Sequence, residues 1–541
     1  MNSPQLTVGD HITLRLDSLA VGGEAVGRHE GMAVFAMWGC PGDTAEVEIT
    51  EVLRTFARGL VRSVVTPSPD RVQAPCPHFG DCGGCQIQHL SYSAQLRHKT
   101  AMIRDALARI GGMRDIVGAG LVNPASAGFT KPAPTALPAS SAVAPSPRAD
   151  RGKGGEVPAE TWGMEGSGGR LKPSTRPAGE PAVPGWFYRN RAEYHAALND
   201  DGQVILGFAR HHSHDIIDLR ECNLQHAFSE RARKAVRAHM ARVAQTPAER
   251  AALLGVETLV SFASGQGLVT LICGGRPPFV IPLAEALHAE LPDLAGVLFA
   301  QRRGHAAHRS PAELVWGESD ITEEARSRRV EESKPWAYRV SADSFFQSNP
   351  PQAARMIQLV TEWAGVGKGD IVLDLYSGVG TFLLPLARAA RRAVGVEESE
   401  SAVADARANA GAWHLRNVTI HERRVERILS KLVERTSPPL PPPGARRGGD
   451  NSRASESGRT RGEVPDVVVI DPPRKGCGPI VAALVAKLKP RRIILVSCHP
   501  ATLARDLKSL AEHGYPCRRV QPIDMFPQTW HVETVAMCER A

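Results

Sequence analysis

Val372-Leu373-Asp374-Leu375-Tyr376-Ser377-Gly378-Val379-Gly380-Thr381-Phe382 decides the fold. An apolar run containing an aspartate enters a Gly-x-Gly turn, and a helical pattern follows. This is the strand–turn–helix opening of a doubly wound α/β sheet, whose ligands bind beyond the carboxyl ends of the strands. Glycines in the turn let the backbone approach a bound cofactor. Glu397 closes the next apolar strand, where a carboxylate accepts hydrogen bonds from ribose hydroxyls. The turn lacks the third glycine of the dinucleotide fingerprint. A cofactor without a pyrophosphate, such as S-adenosylmethionine (SAM), therefore fits better than NAD. A tight turn with no ligand is the alternative reading of the glycines taken alone.

Working outward, strands are expected at Ile371–Leu375, Ala393–Val396, Val467–Ile470, Ile493–Val496 and Glu533–Met537, with helices such as Ala402–Ala412 and Ile480–Leu488 between them. Strands alternating with helices assign residues 336–541 to a Rossmann-like α/β domain. Two strand ends carry chemistry. Asp471-Pro472-Pro473-Arg474-Lys475-Gly476 puts an acidic residue on a loop stiffened by two prolines, fit to hold a planar base against a cofactor. Val496-Ser497-Cys498-His499-Pro500 puts a thiol at the end of a parallel strand, and Glu533 in the closing strand region offers it a proton-transfer partner. Cys477, in a Gly-rich loop, is the rival nucleophile, and a buried structural thiol is the bland alternative for either cysteine.

Before this domain the chain changes character several times. Residues 1–66 alternate short apolar stretches, His11–Leu16 and Ala45–Ile49 among them, with glycine-rich turns, the pattern of a small OB-like β-barrel. Residues 67–335 form a central domain. It opens with Cys76-Pro77-His78-Phe79-Gly80-Asp81-Cys82-Gly83-Gly84-Cys85 and a helix from Tyr92 to about Ile110. Cys222 is the best distant fourth ligand, and four cysteines hold either an iron–sulfur cluster or zinc. Residues 121–185 carry 11 Pro and 10 Gly without apolar periodicity, and 436–465 open on a proline run; both are expected to be disordered inserts.

Composition bounds the rest. The 541 residues are 42% hydrophobic and 23% charged, which fits a multidomain globular protein. No apolar run reaches the roughly 18 residues of a membrane span. The start has no signal-peptide pattern, so a reducing cytoplasm is expected and the ten cysteines read as ligands, nucleophiles and buried thiols. A net charge of +8 suits a polyanionic partner.

Taken together, these motifs resemble the RumA/TrmA family of RNA uracil-C5 methyltransferases. The resemblance runs over nearly all the chain outside the inserts. It rests on Cys76-x5-Cys82-x2-Cys85 with Gln88-His89-Leu90-x-Tyr92, Tyr188-Arg189-Asn190-Arg191, Phe346-Gln347-Ser348-Asn349-Pro350, Asp471–Gly476, Ser497-Cys498 and His531-Val532-Glu533-Thr534. It implies that the β-rich start is a TRAM domain and that Cys76, Cys82, Cys85 and Cys222 hold a 4Fe–4S cluster, an RlmD-like combination. It implies that Gln347, Tyr376, Glu397 and Asp471 contact SAM or the target base, that Cys498 is the nucleophile and that Glu533 is the base. The implied partner is RNA, 23S ribosomal RNA first and the transfer-RNA T-loop second, bound by a monomer. One position departs from the family pattern: Arg424 stands where an acidic or amide residue usually lies near the adenine, with Glu422 as a nearby substitute. The rivals are a radical-SAM enzyme, whose cluster motif is Cys-x3-Cys-x2-Cys, and a non-catalytic RNA-binding protein.

Overall fold

The computed structural model describes residues 6–114, 185–302, 309–325, 336–436 and 464–541. The two expected inserts lie outside the described residues except at their edges.

Strands β1 (His11–Leu19), β2 (Ala25–His29), β3 (Met32–Met37), β4 (Thr44–Val52) and β5 (Phe56–Thr66) close into a barrel of order β1-β2-β3-β5-β4. Alternation along β1 and β4 sends Leu14, Leu16, Val47 and Ile49 inward with Val34, Ala36 and Ala57. The expected OB-like barrel is therefore present, and closure leaves it no unpaired edge.

The cysteine segment and helix α1 (Tyr92–Arg109) follow. Ser91 caps α1 by accepting from the Ala94 amide. The next unit holds β6 (Arg191–Leu198), β7 (Val204–Gly207), α2 (Ala227–Val243), α3 (Pro247–Ala252), β8 (Leu253–Val260), β9 (Gly267–Cys273), α4 (Val280–Glu290), β10 (Leu294–Gln301) and β11 (Glu313–Gly317). Its six-stranded sheet runs β11-β10-β9-β8-β6-β7. Phe228 and Val236 of α2 and Leu283 and Leu287 of α4 share a core with Val256, Val269, Leu271 and Phe299 of the sheet. A two-stranded ribbon, β12 (Asp320–Ala325) with β13 (Trp336–Ser341), leads onward.

The last unit comprises α5 (Pro350–Ala364), β14 (Ile371–Leu375), α6 (Leu383–Ala387), β15 (Arg392–Glu397), α7 (Glu400–Ala412), β16 (Val418–Glu422), α8 (Val425–Thr436), β17 (Val467–Ile470), α9 (Gly478–Lys487), β18 (Arg492–Ser497), α10 (Pro500–Glu512), β19 (Cys517–Ile523) and β20 (Glu533–Glu539). Its seven-stranded sheet has the order β16-β15-β14-β17-β18-β20-β19. Both faces are covered. Val372 joins Met356, Val360, Leu383 and Leu386 on one side, while its neighbour Leu373 joins Val481, Leu503 and Leu507 on the other. Two buried faces explain why these strands read as continuous apolar runs. Ile103 and Leu107 of α1 belong to the second core, so α1 packs on this sheet rather than standing apart with the cysteines.

All five strands expected from the sequence form, and two more join them. β16 and β19 lie at the two edges. β16 buries no residue fully, and β19 carries Arg518, Arg519 and Pro522. Edge strands tolerate charges and proline because one side of their ladder is open, and this blurs their apolar signature. The strand after Cys498 is thus β19, and Glu533 belongs to the one beyond it.

Candidate active site

Five parallel strands end at one edge of the sheet, and the loops leaving β14, β15, β17 and β18 build the site. At the end of β14, Tyr376 adopts φ +63°, unusual for a side chain of its size, and Gly378 follows at φ +53°. A Cβ on Gly378 would point into open space, so the turn presents bare backbone outward. The Glu397 carboxylate, at the end of β15, accepts from the amides of Gly378 (3.0 Å), Glu398 (2.8 Å) and Ser399 (2.9 Å). These bonds tie the second strand end to the glycine turn. Asp374 is buried beneath, its carboxyl held well above its ordinary range by burial and then by the nearby Asp471 and Glu397 charges.

Asp471 leaves β17, and its amide donates to the Leu375 carbonyl (3.3 Å). Gln347, buried just before α5, donates Nε2 to the Asp471 carboxylate (3.4 Å). Asn349 caps α5 through the Gln352 amide and donates to the Met525 carbonyl (3.1 Å), which fixes the Gln347 segment against the opposite wall. Burial pushes the Asp471 carboxyl up to about 7.

Cys498 and Glu533 come together through strand direction. β17 and β18 are parallel, but β20 runs antiparallel to β18 with Ser497 opposite Thr534. The end of one strand and the start of the other therefore share the carboxyl edge. Cys498 is half-buried and Glu533 buried. Burial pushes the Cys498 thiol up to about 11, the Glu533 charge adds to the rise, and Arg474 opposes it. Burial and then Asp471 hold the Glu533 carboxyl well above the usual carboxylate range, again against Arg474.

The loop that delivers Glu533 is held from outside its own domain. Gln528, at φ +69°, accepts on its carbonyl from the Gln86 and Ile87 amides (both 3.2 Å). Gln95 of α1 donates to its side chain (2.9 Å) and accepts from its amide (3.0 Å). Lys99 of α1 donates to Asp524 (2.5 Å) and to the Phe526 carbonyl (3.0 Å), and Tyr188 to the Pro527 carbonyl (3.1 Å).

Gln86 directly follows the last of three clustered cysteines. Cys76, Cys82 and Cys85 meet Cys222 around a cavity of about 380 Å³. Gly83 donates to the Ala209 carbonyl (3.0 Å), with room for no larger residue without a shift, and docks the segment on the central unit. Phe187 and Arg189 donate to the carbonyls of Asn223 (2.8 Å) and Leu224 (2.9 Å), bringing Cys222 across. All four cysteines are free thiols. Burial raises each of them, that of Cys222 to about 12, and the charges of neighbouring cysteines add to the rise at Cys82, Cys85 and Cys222. Among the described residues no set of three His, Cys, Asp or Glu is close enough to hold a single metal ion.

All the site residues expected from the sequence fall into two places, the sheet edge and this cavity. Glu422 closes β16 opposite Glu397, and Arg424, just beyond it at the same sheet edge, is exposed and paired with Glu398 (3.4 Å). Cys477 is buried at the start of α9, its amide donating to Asp506 (2.8 Å). Two features escaped sequence reasoning. Arg474 acts on Cys498, Glu533, His499 and His531 at once, and only its place in the Asp-Pro-Pro-Arg motif hinted at it. The Gln95–Gln528 clamp joins residues too distant in sequence for any local pattern to reveal.

With this geometry in view, comparison with known proteins is direct. The model of the tRNA (Uracil-5-)-methyltransferase family matches residues 182–436 and 463–541, and that of the TRAM domain matches 5–61. An uncharacterized RNA methyltransferase of Halalkalibacterium halodurans is 30% identical over 98% of this chain and 97% of its own. Another, from Gloeobacter violaceus, is 30% identical over 99% of this chain and 98% of its own. Among solved structures, the Pyrococcus abyssi tRNA (uracil-54, C5)-methyltransferase in complex with S-adenosyl-L-homocysteine is similar, with TM-score 0.61 and 22% identity over 97% of this chain and all of that one. That likeness is one of fold. A TRAM barrel followed by a catalytic sheet whose strand ends bear Asp471, Cys498 and Glu533 thus has a family: the chain is an enzyme of the tRNA (Uracil-5-)-methyltransferase family.

Proposed function

We propose that this enzyme converts a uridine of 23S ribosomal RNA to 5-methyluridine through a covalent bond between Cys498 and C6 of the base. The observation that carries the reading is the antiparallel pairing of β20 with β18, which sets a thiol and a buried carboxyl at one sheet edge beside Asp471.

Bound SAM supplies the methyl group, and Gln347, Tyr376, Glu397 and Asp471 are the residues proposed to face it or the base. The open side of Gly378 and the strained Tyr376 backbone support that assignment. C5 of uracil is a poor nucleophile. Attack by the Cys498 thiolate on C6 makes C5 an enolate carbon able to accept a methyl group. Arg474 favours the thiolate. Glu533, ionised, then takes the C5 proton; the pair of electrons reforms the C5–C6 double bond and the sulfur leaves. Gln347 and Asp471, bonded to each other, suit the donor and acceptor edge of a uracil held out of its stack.

The four thiols are proposed to hold a 4Fe–4S cluster that ties the central unit together. Four thiols lining one cavity are a set that such a cluster uses, and its positive charge would offset the cost of burying them as thiolates. RNA is proposed to lie across the barrel, where Arg58 stands over Phe35 (5.8 Å) and Phe56 (5.7 Å). The T-loop uridine of transfer RNA is the second reading, favoured by the family's own description and by the substrate named for the Pyrococcus abyssi enzyme.

Mass-spectrometric mapping of 5-methyluridine in 23S ribosomal and transfer RNA, from cells with and without the protein, separates the two. With the mapped RNA, Cys498→Ala should abolish methylation and any protein–RNA adduct. Glu533→Gln should accumulate a methylated adduct that survives denaturation. Normal turnover by Glu533→Gln would remove it as the base, and an adduct mapped to Cys477 would move the nucleophile.

A further inference from the structure

The mouth of the site carries an aromatic group that the uracil chemistry leaves unused. Trp530 is half-buried on the loop between β19 and β20. Its ring lies 4.0 Å from that of His531 at 36°, and edge-on to His499 at 6.0 Å. His499 adjoins Cys498, and His531 is two residues from Glu533. Phe526 backs His531 at 5.9 Å.

The surroundings say what such a ring would meet. Its loop is fixed by the Gln95–Gln528 and Lys99 bonds, so the indole is presented on a rigid base. Arg474 and Lys475 stand exposed on the neighbouring loop, suited to phosphates. Burial, then Arg474, Lys99, Arg189 and His499, keep His531 neutral near pH 7. An inclined pair with a neutral imidazole offers a π-face rather than a charge, and the partner of a π-face in RNA is a base. Extruding one nucleotide for chemistry uncovers the faces of those next to it.

We propose that Trp530 is a stacking platform for the RNA: its indole, inclined against His531, carries the base adjacent in sequence to the uracil presented to Cys498. The inference rests on the uracil-C5 reading above. Its test is a coupling measurement. A stem-loop carrying the mapped uridine is prepared intact and with an abasic nucleotide at each of the flanking positions. Its binding to the full-length enzyme is read by fluorescence anisotropy. Trp530→Ala should weaken binding of the intact RNA about 5- to 150-fold, the range for losing one stacked base. The abasic change at one flanking position should cost wild type a similar factor and Trp530→Ala nothing further. Trp530→Phe should retain most of the affinity, which guards against a folding defect. Wild-type affinity in Trp530→Ala, or abasic penalties that persist in it at every position, overturns the proposal. A 5-fluorouridine version of the same RNA reports the covalent chemistry separately. An adduct without coupling overturns the platform alone; coupling without an adduct upholds the platform and overturns the chemistry.

Discussion

Cys498 illustrates how one residue's chemistry depends on its neighbours. An ordinary thiol is a few per cent ionised at neutral pH; burial and the Glu533 charge push this one up to about 11, and Arg474 pulls it back. Removing the carboxylate charge removes a force that opposes ionisation, so Glu533→Gln should lower the thiol's midpoint. The change is readable as the pH dependence of Cys498 alkylation by iodoacetamide, located by peptide mass spectrometry, with Cys498→Ala as the blank. An unmoved midpoint would mean that the two groups do not share a field. The same shift has a kinetic sign. If Glu533 is the proposed base, it must be ionised to take the C5 proton; its carboxyl is held high, so proton removal should speed up as pH rises.

At the scale of elements, α1 is the joint between the cysteine segment and the catalytic sheet. Its Lys99 and the partner Asp524 are both fully buried, 0% exposed. Removing one charge leaves the other unpaired in a dry interior, which costs about 3–5 kcal/mol. Lys99→Ala should therefore lower the denaturation midpoint sharply. A double change, Lys99→Met with Asp524→Leu, should recover much of the loss, since an apolar pair of similar volume replaces a buried ion pair at little net cost. Urea melts of wild type, Lys99→Met, Asp524→Leu and the double variant check it, and a single variant as stable as wild type would show the pair to be solvated. Sequence periodicity found α1 almost to the residue, Tyr92 to Ile110 against Tyr92–Arg109, because a helix writes its own pattern. It could not say which sheet α1 covers.

For the whole molecule, the cysteine-bearing unit and the last sheet are tied through one loop. The Gln86 and Ile87 amides, just beyond Cys85, hold Gln528 in place. If the cysteines hold a cluster, protein purified without oxygen should contain about four iron per chain with matching sulfide. Stoichiometric zinc with no sulfide would replace that reading. Cys222→Ala should cost stability and RNA affinity more than it costs the covalent step itself, measurable as thermal midpoint, anisotropy and adduct rate on the same RNA. No described helix is long and apolar enough to cross a membrane.

The local elements and the inventory of reactive groups are legible in the chain read residue by residue. The Gly-x-Gly turn, the five inner strands, the alternating barrel strands and Cys498, Asp471 and Glu533 are all written in short stretches, because turn chemistry and burial on one or two faces act on neighbouring residues. The edge strands β16 and β19 were less legible, since a strand with one open side need not be apolar. Only the tertiary structure decided that β20 turns antiparallel and returns Glu533 to the edge where Cys498 ends. It alone placed Arg474 among four site residues and gave Gln528 to Gln95, 433 positions away. Such contacts arise when separate elements pack on a common core, and nothing in either short stretch carries the geometry of the other.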